Sequence, residues 1–238
     1  MADKKLLDDA KKLAGYRAVE DNVKNGQRVG IGSGSTVKYV VDKIKELGYT
    51  DCICVPTSFQ SRQLIIEAGL KLSDLSITPE LDITIDGADE VDQHFNLIKG
   101  GGGCQLQEKI VAHASKELVI VADYSKDSVE FGQNWKKGIP IEVHPMAYVP
   151  IIKQLSQAPF NLKATLRMAV NKAGPVVTDN GNFVLDATFQ SLNSQHEIEK
   201  LNVQLKMIPG VVEHGLFINM TKKVYFGQTD GTIKLRSK

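Results

Sequence analysis

The 238-residue sequence lacks the charge excess that a nucleic-acid partner usually requires. Its 29 Lys and Arg residues nearly balance its 28 Asp and Glu residues, for a formal net charge of +1. No long basic or acidic run is present, so an anionic ligand must be bound by a local site. No apolar run approaches the roughly 18–20 residues that span a bilayer. We therefore expect neither a nucleic-acid partner nor a membrane.

Cysteine is also scarce. The three cysteines are Cys52, Cys54 and Cys104, and an odd number argues against a disulfide framework. Cys52 and Cys54 do not have the spacing of a zinc or redox pair, and the five histidines form no HExxH-like pair. We expect reduced structural thiols. The charged N-terminal segment lacks the apolar centre of a signal peptide, so we expect a cytoplasmic protein.

Strand-like and helix-like segments alternate along the first half of the chain. Short apolar runs lie at residues 28–31, 51–55, 81–85 and 118–122, with helical spacing of apolar residues between them. The last run is apolar throughout, as in a strand buried on both faces of a parallel sheet. The order predicts an α/β fold with a doubly wound, mostly parallel, Rossmann-like sheet. In such sheets ligands bind beyond the carboxyl ends of the strands.

The pattern changes near residue 133. From there to residue 220 the segments follow the order β-α-β-β-α-β, which predicts a smaller ferredoxin-like α/β unit. It contains few candidate catalytic groups, so we interpret it as a lid or an oligomerisation surface. A final strand pair is predicted to return to the main sheet. The predicted domains are a catalytic domain, 1–132 plus 221–238, and a lid domain, 133–220.

A turn rich in glycine and serine follows the first predicted strand. In the order strand, turn, helix, glycines let backbone N–H groups approach an anion, and the helix start adds its positive dipole end. The turn lacks the third glycine of a dinucleotide motif and the lysine of a Walker motif, so a small phosphate is favoured. A helix cap with a tight turn is the structural alternative. The candidate phosphate-binding residues are Ser33, Gly34, Ser35 and Thr36.

The segment 81–109 concentrates acidic residues, one lysine and four glycines at successive predicted strand ends. Glu108 lies near a predicted helix start, where the dipole favours a carboxylate, and is the candidate general base. Lys99 follows an apolar strand and could stabilise a developing alkoxide or enediolate. Asp86 and Asp89 flank a small-residue turn and could move protons between sugar hydroxyls.

Each of these acidic residues also has a structural explanation. Asp86 could form only a turn, and Glu108 could be an ordinary exposed helix residue. Asp89, Glu90 and Asp92 could form a solvated acidic loop or a Mg²⁺ site. Their joint occurrence beside a phosphate-type turn favours the catalytic interpretation. Glu90 and Asp92 are interpreted as solvated or structural.

Six short motifs lie along the chain. They occupy residues 32–36, 56–60, 86–90, 99–103 with Glu108, 138–143 and 176–182. Together they resemble ribose-5-phosphate isomerases of the A type, most of all the eukaryotic branch, over nearly the whole chain. The resemblance implies an enzyme of the non-oxidative pentose phosphate pathway that interconverts D-ribose 5-phosphate and D-ribulose 5-phosphate through an enediolate. It implies no metal or organic cofactor, and a homo-oligomer, either a dimer or a tetramer.

The resemblance also implies roles for the charged residues. Glu108 would carry the proton between C2 and C1, and Asp86 would assist ring opening and proton transfer between hydroxyls. Lys99 would stabilise the charged intermediate, and Asp89 would hold the sugar. Further substrate contacts would come from Gly87, Ala88, Gly100, Gly101 and Gly102.

The phosphate would be bound at residues 33–36, with positive charge from Lys126 and Lys11. Adjacent Lys12 is the alternative to Lys11. One departure from the family pattern lies at residues 104–107, where a hydroxyl residue usually found before the glutamate is missing. The spacing from Lys99 to Glu108 is intact, so the assignment of the base is unchanged.

Two other functions are alternatives to the isomerase. A non-catalytic sugar-phosphate sensor would need the phosphate turn but not Lys99 and Glu108 together. It would normally carry a helix-turn-helix arm, whereas this chain has a single predicted helix before its first strand. A hydrolase or deaminase of the same broad fold is a third possibility.

Overall fold

The computed structural model describes residues 2–190, 192 and 194–238. By its internal contacts the chain divides into two compact units. The first unit consists of Met1–Ala88, Gln107–Asp127 and Asn219–Lys238, and the second of Asp89–Leu106 and Ser128–Ile218. The sequence pattern assigns residues 89–106 to the catalytic domain, whereas in the structure they cluster with residues 128–218. The division into independently folding domains stays a prediction.

The helices are α1 (Ala2–Asn22), α2 (Val37–Glu46), α3 (Phe59–Ala68), α4 (Gln105–His113), α5 (Tyr148–Leu155) and α6 (Gln195–Lys206). The strands up to residue 123 are β1 (Arg28–Ile31), β2 (Ile53–Pro56), β3 (Lys71–Leu72), β4 (Ile83–Asp86), β5 (Glu90–Val91), β6 (Leu97–Ile98) and β7 (Leu118–Asp123). The later strands are β8 (Ile139–Val143), β9 (Lys163–Leu166), β10 (Phe183–Thr188), β11 (Val211–His214), β12 (Leu216–Phe217), β13 (Lys223–Gly227) and β14 (Ile233–Ser237).

The first unit is built on a seven-stranded sheet in the order β14-β13-β7-β4-β1-β2-β3. All neighbours are parallel except β13 and β14, which form the predicted C-terminal pair. The chain winds from β1 toward β3 in one direction and from β4 toward β13 in the other. The strand order therefore reverses between β1 and β4, the position at which doubly wound sheets bind ligands. The predicted fold class is confirmed.

The apolar runs of the sequence form strands that are buried in the core of the first unit. All six residues of β7 are buried, as the uninterrupted apolar run predicts for a parallel sheet. Cys52 and Cys54 are free thiols buried in the same core. Burial raises the pKa of the Cys54 thiol to about 12, which keeps it protonated and unreactive. Helix α3 starts at a capping box, in which Ser58 Oγ accepts from the N–H of Ser61 at 3.1 Å.

The second unit contains a four-stranded antiparallel sheet in the order β11-β8-β10-β9. With α5 and α6 between the strands in sequence, this is the predicted ferredoxin-like topology. A separate three-stranded antiparallel sheet has the order β12-β6-β5.

One predicted strand of the second unit is two strands. Residues 211–218 look continuous in sequence, but the chain breaks at Gly215 into β11 and β12, which belong to different sheets. Gly215 donates its N–H to Pro140 O at 2.7 Å and accepts from Lys99 N–H at 2.8 Å. A Cβ on this residue would overlap Lys99 O, with Pro140 Cδ at 3.0 Å. Glycine is needed here because two other segments cross the backbone.

Candidate active site

The turn after β1 is tied to the end of β4. Gly32 donates its N–H to Ile85 O at 3.0 Å, and the N–H of Ser33 donates to Asp86 Oδ1 at 3.0 Å. A Cβ on Gly32 would overlap the Asp86 carboxylate and lie 2.6 Å from Asp86 Cα. Only glycine allows this approach, which occurs where the strand order reverses.

Asp86 is the last residue of β4 and is fully buried. Its Oδ1 accepts from the N–H of Ser33 and, at 2.7 Å, from the N–H of Gly87. Asp86 therefore does more than close its own turn, since it bridges two neighbouring strands. Two backbone donors on one oxygen hold the carboxylate in a single orientation.

The predicted phosphate turn is supported by the start of α3. Ser33 Oγ lies 2.7 Å from Thr57 Oγ1 and 2.6 Å from Ser58 Oγ. Gly34, at φ +105°, donates its N–H to Gln60 Oε1 at 2.8 Å. Thr57 and Ser58 follow β2. From their position in the sequence they are candidates both for capping α3 and for contacting a ligand. The contact from Gln60 was missed, although Gln60 belongs to the motif at 56–60.

These bonds bear on how the turn could bind an anion. The N–H groups of Ser33 and Gly34 are both used within the protein. Thr36 precedes α2 and is buried, but its side chain makes no capping bond to the helix. The helix-cap alternative therefore does not explain the Thr36 hydroxyl. Ser35 is exposed. The anion cradle stays a prediction that requires Gln60 to release the Gly34 N–H or the hydroxyls to act as donors.

The charges of the two N-terminal lysines, Lys11 and Lys12, act on different acidic residues. Lys12 Nζ lies 5.1 Å from the centroid of the Tyr16 ring, and its charge helps lower the pKa of Glu46, which Lys43 lowers most through a hydrogen bond. Lys11 instead helps to lower the pKa of Asp8, after the larger effect of a Tyr39 hydrogen bond and the charge of Lys38.

Asp8 Oδ1 lies 3.7 Å from Nζ of Lys38, the second residue of α2. Helix α2 begins directly after the 33–36 turn and ends at Glu46. The charge of Lys11 therefore acts near the end of α2 that adjoins the turn, and the charge of Lys12 near the other end. Lys11 stays the predicted phosphate-binding lysine, with Lys12 as the alternative.

Lys126 lies in a short 3₁₀ turn directly after β7, and it is partly buried. Asp123 begins that turn by accepting from the N–H of Ser125 at 3.0 Å. Because β7 is parallel to β4 and β4 to β1, the three segments that follow these strands lie at one edge of the sheet. The predicted positions of residues 32–36, Asp86 and Lys126 at this edge are confirmed.

Glu108 is in the first turn of α4 and only 4% exposed. The alternative of an ordinary exposed helix residue is therefore wrong. A carboxylate near the N-terminus of a helix is favoured by the helix dipole. Its burial is the property expected of a general base that must be shielded from bulk water.

The predicted setting of Lys99 is wrong in one respect. The sequence places Lys99 and the glycines at 100–103 at the carboxyl end of a strand in the parallel sheet. In the structure they follow β6, a two-residue strand in the three-stranded antiparallel sheet. The side chain is 2% exposed, and its Nζ lies 5.4 Å from the centroid of the Phe217 ring. This burial agrees with the prediction that the Lys99 ammonium group has a fixed direction.

The glycine loop, residues 100–103, is held by side chains. Asp89 Oδ2 accepts from the N–H of Gly101 at 2.7 Å, and a Cβ on Gly101 would overlap the Asp89 carboxylate. Gly100 has φ +97°, and a Cβ there would lie 2.7 Å from Gln105 Oε1. At Gly102 an added Cβ would meet nothing within 4 Å. The loop is thus crowded at its first two residues and open at the third.

Arg167 was not predicted as a site residue from the sequence. It directly follows β9 in the second unit. Its Nη1 donates to Gly100 O at 3.0 Å and to Gly101 O at 3.1 Å. Its Nε donates to Asp186 Oδ2 at 2.9 Å. No local motif marks Arg167, and it stands more than 60 residues from the loop.

Glu90 and Asp92 are buried and structural. Glu90 Oε1 accepts from Ser128 Oγ and from the N–H groups of Asn134 and Trp135, and Oε2 accepts from Gly132 N–H, all within 3.1 Å. Asp92 closes its own turn by accepting from the N–H groups of residues 94 and 96, both at 2.8 Å. The solvated alternative is wrong for both residues, and the structural interpretation is confirmed.

Within residues 2–190, 192 and 194–238, no three or more His, Cys, Asp or Glu side chains are grouped so as to hold a metal ion. Among the same residues, no helix has both the length and the low polarity that a membrane crossing requires.

Comparison with known proteins identifies the family. The sequence model described as ribose 5-phosphate isomerase A (phosphoriboisomerase A) matches residues 53–231. A ribose-5-phosphate isomerase from Dictyostelium discoideum is 71% identical over 231 residues, which are 97% of this chain and 99% of that protein. The chain belongs to the ribose 5-phosphate isomerase A family.

Other members of the ribose 5-phosphate isomerase A family agree in sequence and in structure. The enzyme from Homo sapiens is 56% identical over 234 residues, covering 97% of this chain and 74% of that protein. A D-ribose-5-phosphate isomerase solved in complex with phospho-erythronic acid superimposes with a TM-score of 0.88 at 38% identity, covering 96% and 97% of the two chains.

The family fixes the reaction. The chain is an aldose–ketose isomerase, an intramolecular oxidoreductase that interconverts D-ribose 5-phosphate and D-ribulose 5-phosphate. The relatives support this enzyme and not the sugar-phosphate sensor. The resemblance seen in the motifs is therefore confirmed, whereas the roles of individual residues are not tested by these comparisons.

Proposed function

We propose that Glu108 is the general base of the isomerisation. It takes the proton from C2 of open-chain ribose 5-phosphate, which leaves an enediolate, and returns the proton to C1 while the carbonyl forms at C2. The proposal is carried by one observation, the burial of Glu108 in the first turn of α4. A carboxylate shielded from water and close to a helix N-terminus has a fixed position and an ionised form favoured by the dipole.

Further roles are proposed for the other buried charges. Lys99 stabilises the negative charge of the enediolate, because its buried ammonium group is directed by packing on Phe217. Asp86 assists ring opening and proton transfer between O1 and O2, since two N–H bonds orient its carboxylate. Asp89 holds the sugar. Backbone contacts come from Gly87, Ala88, Gly100, Gly101 and Gly102.

The phosphate is proposed to bind at the turn of residues 33–36. Ser33 and Thr36 contribute hydroxyl donors, supported by the contact of Ser33 with Thr57. Lys11 and Lys126 contribute positive charge. Because both lysines are partly solvated, each is expected to affect binding of substrate more than the chemical step.

The base is tested by Glu108→Gln. Turnover of ribose 5-phosphate should fall at least about 10²-fold, because removal of a general base typically costs 10²–10⁴. The thermal unfolding midpoint and the binding of phospho-erythronic acid, measured by calorimetry, should change little. Glu67→Gln is the matched control, since Glu67 is an exposed glutamate on a helix of the same unit. A variant Glu108→Gln with near-normal turnover would refute the assignment.

We also propose that the protein is a homo-oligomer, either a dimer or a tetramer. Large apolar side chains of the second unit are strongly exposed in the single chain, among them Val170, Met146 and Met207. Contiguous exposed apolar surface marks protein–protein interfaces, and these side chains are the candidates for such a surface. Sedimentation velocity tests the proposal, and a monomer at micromolar concentration would contradict it.

A cytoplasmic location is proposed on the basis of the thiols. Cys52 and Cys54 are free and buried, which is ordinary for a protein kept in a reducing compartment. Fractionation of cells that express a tagged full-length protein tests this, and recovery in a membrane or secreted fraction would contradict it.

A further inference from the structure

The glycine loop of residues 100–103 has no side chains with which to hold its own conformation. One backbone bond closes the loop, from Gly103 N–H to Gly100 O at 2.9 Å, and side chains outside the loop orient its peptide groups further. Two contacts do this at Gly101, whose N–H donates to Asp89 Oδ2 at 2.7 Å and whose carbonyl accepts from Arg167 Nη1 at 3.1 Å. The same nitrogen of Arg167 also donates to Gly100 O at 3.0 Å. One guanidinium group thus engages two successive carbonyls of the loop.

Arg167 is itself held firmly. Its N–H donates to Val184 O at 2.8 Å, and its carbonyl accepts from Val176 N–H at 2.9 Å. Its Nε and Nη2 both donate to the carboxylate of Asp186, in the paired geometry that arginine forms with carboxylates. Asp186 belongs to β10, the strand paired with β8 and β9. The Arg167 and Asp186 side chains are 15% and 19% exposed.

We propose that Arg167 is a positioning residue for the isomerase reaction, and that Asp186 holds it in place. Arg167 acts through Gly101, because fixing the two carbonyls also fixes the direction of the Gly101 N–H and hence the orientation of Asp89. The inference rests on the proposed function, in which Asp89 and the loop backbone bind the sugar. Misplacement by about 1 Å of a group that orients the substrate can cost on the order of 10² in rate.

The shape of arginine matters more than its charge. Its fork donates from separate nitrogens to Asp186 and to the loop, whereas a lysine ammonium is a compact point charge on a shorter stem. The charge is already balanced by Asp186 at 2.9 Å. Lysine at this position should therefore preserve an ion pair with Asp186 without preserving the orientation of the loop. A purely structural ion pair makes the opposite prediction.

The test compares Arg167→Met, Arg167→Lys and Asp186→Asn with Arg17→Met. Arg17 is the matched control because it pairs with Asp21 at 2.9 Å on the exposed surface of α1. We expect kcat/KM for ribose 5-phosphate to fall about 10- to 100-fold in Arg167→Met, with KM raised, and to be unchanged in Arg17→Met. Arg167→Lys should recover the thermal unfolding midpoint but not kcat/KM. Asp186→Asn should give an intermediate loss.

A chemical rescue separates positioning from folding if Arg167→Met is unstable. In Arg167→Ala, guanidinium ion at millimolar concentration should recover part of kcat/KM, whereas the same concentration of sodium chloride should not. Recovery of both stability and activity by lysine, or no loss of activity in Arg167→Met, would overturn the proposal. Glu108→Gln is assayed in parallel. If it is inactive while the Arg167 variants are normal, only this inference fails; if it is active, the proposed function fails.

Discussion

Two glycine-rich turns of this isomerase carry proposed substrate contacts, and they are held in different ways. The turn at residues 32–36 follows β1, a strand of the parallel sheet, and the backbone of β4 fixes it from the side. The loop at residues 100–103 follows β6, which is only two residues long. Side chains and one backbone bond within the loop, from Gly103 N–H to Gly100 O, hold it. The first turn is placed by the backbone of the sheet together with the side chains of Asp86 and Gln60. The second is placed by the Asp89 carboxylate and the Arg167 guanidinium group.

The two turns also differ in the atoms that a Cβ added at their glycines would overlap. At Gly32 an added Cβ would meet both the carboxylate and the backbone of Asp86. At Gly101 it would meet the Asp89 side chain and the ring of Trp135, whose Cη2 would be 2.9 Å away. Side chains can rotate away, whereas a β-strand cannot move without disturbing its neighbours. The turn after β1 should therefore tolerate change less than the loop.

The largest effect is expected for Gly32→Ala. The added methyl group must displace Asp86 or separate β1 from β4, and overpacking of this kind costs about 1–3 kcal/mol of unfolding free energy. Because Asp86 is proposed to transfer protons, we expect kcat to fall at least about 10²-fold. Steady-state kinetics and denaturant unfolding measure the two effects.

Gly48→Ala is the control for stability alone. Gly48 has φ +67° with open space around its Cα, so alanine there costs about 1–2 kcal/mol through backbone strain. Its kcat should stay normal. If Gly32→Ala loses no more activity than Gly48→Ala, the turn after β1 is not held as rigidly as proposed.

The same contrast explains which parts of the site could be predicted from sequence. The predicted carboxyl ends of β1, β4 and β7 lie within one residue of the observed ends, because buried parallel strands are apolar throughout and their carboxyl ends share one edge. Asp86 and Lys126 lie where that rule puts them. Here local pattern and global topology carry the same information.

The setting of Lys99 could not be predicted in that way. Residues 95–98 look like another sheet strand, but β6 pairs with β5 and with β12, and β12 lies more than 100 residues further along the chain. Pairing between such short strands depends on distant partners and not on local periodicity. The contacts of Arg167 with the glycine loop and the hydrogen-bond donors to Glu90 could not be predicted for the same reason, since these contacts span tens of residues.

A smaller effect is expected for Gly101→Ala, and it is compared with Gly102→Ala at a second proposed backbone contact to the substrate. The methyl group at residue 101 must push aside the Asp89 carboxylate, so we expect KM for ribose 5-phosphate to rise about 10-fold. At residue 102 the methyl group meets no atom within 4 Å. Steady-state kinetics of the two variants give the ratio of their KM values. Equal losses would show that the loop needs glycine for backbone contact with substrate at both positions, and not to accommodate Asp89.

The smallest effect is expected from Lys11→Met compared with Lys12→Met. The charge of Lys11 acts near the start of α2, which adjoins the phosphate turn, and that of Lys12 near its end. A partly exposed charge on a phosphate is screened by water, so we expect KM to rise only about 3- to 10-fold in Lys11→Met, equivalent to roughly 1 kcal/mol. Lys12→Met should be normal. The difference should shrink between 50 and 500 mM salt, because screening weakens exposed pairs. A larger effect at Lys12 would show that Lys12, and not Lys11, supplies positive charge to the phosphate. A salt-independent effect at Lys11 would show that Lys11 does not act through a solvent-screened charge on the phosphate.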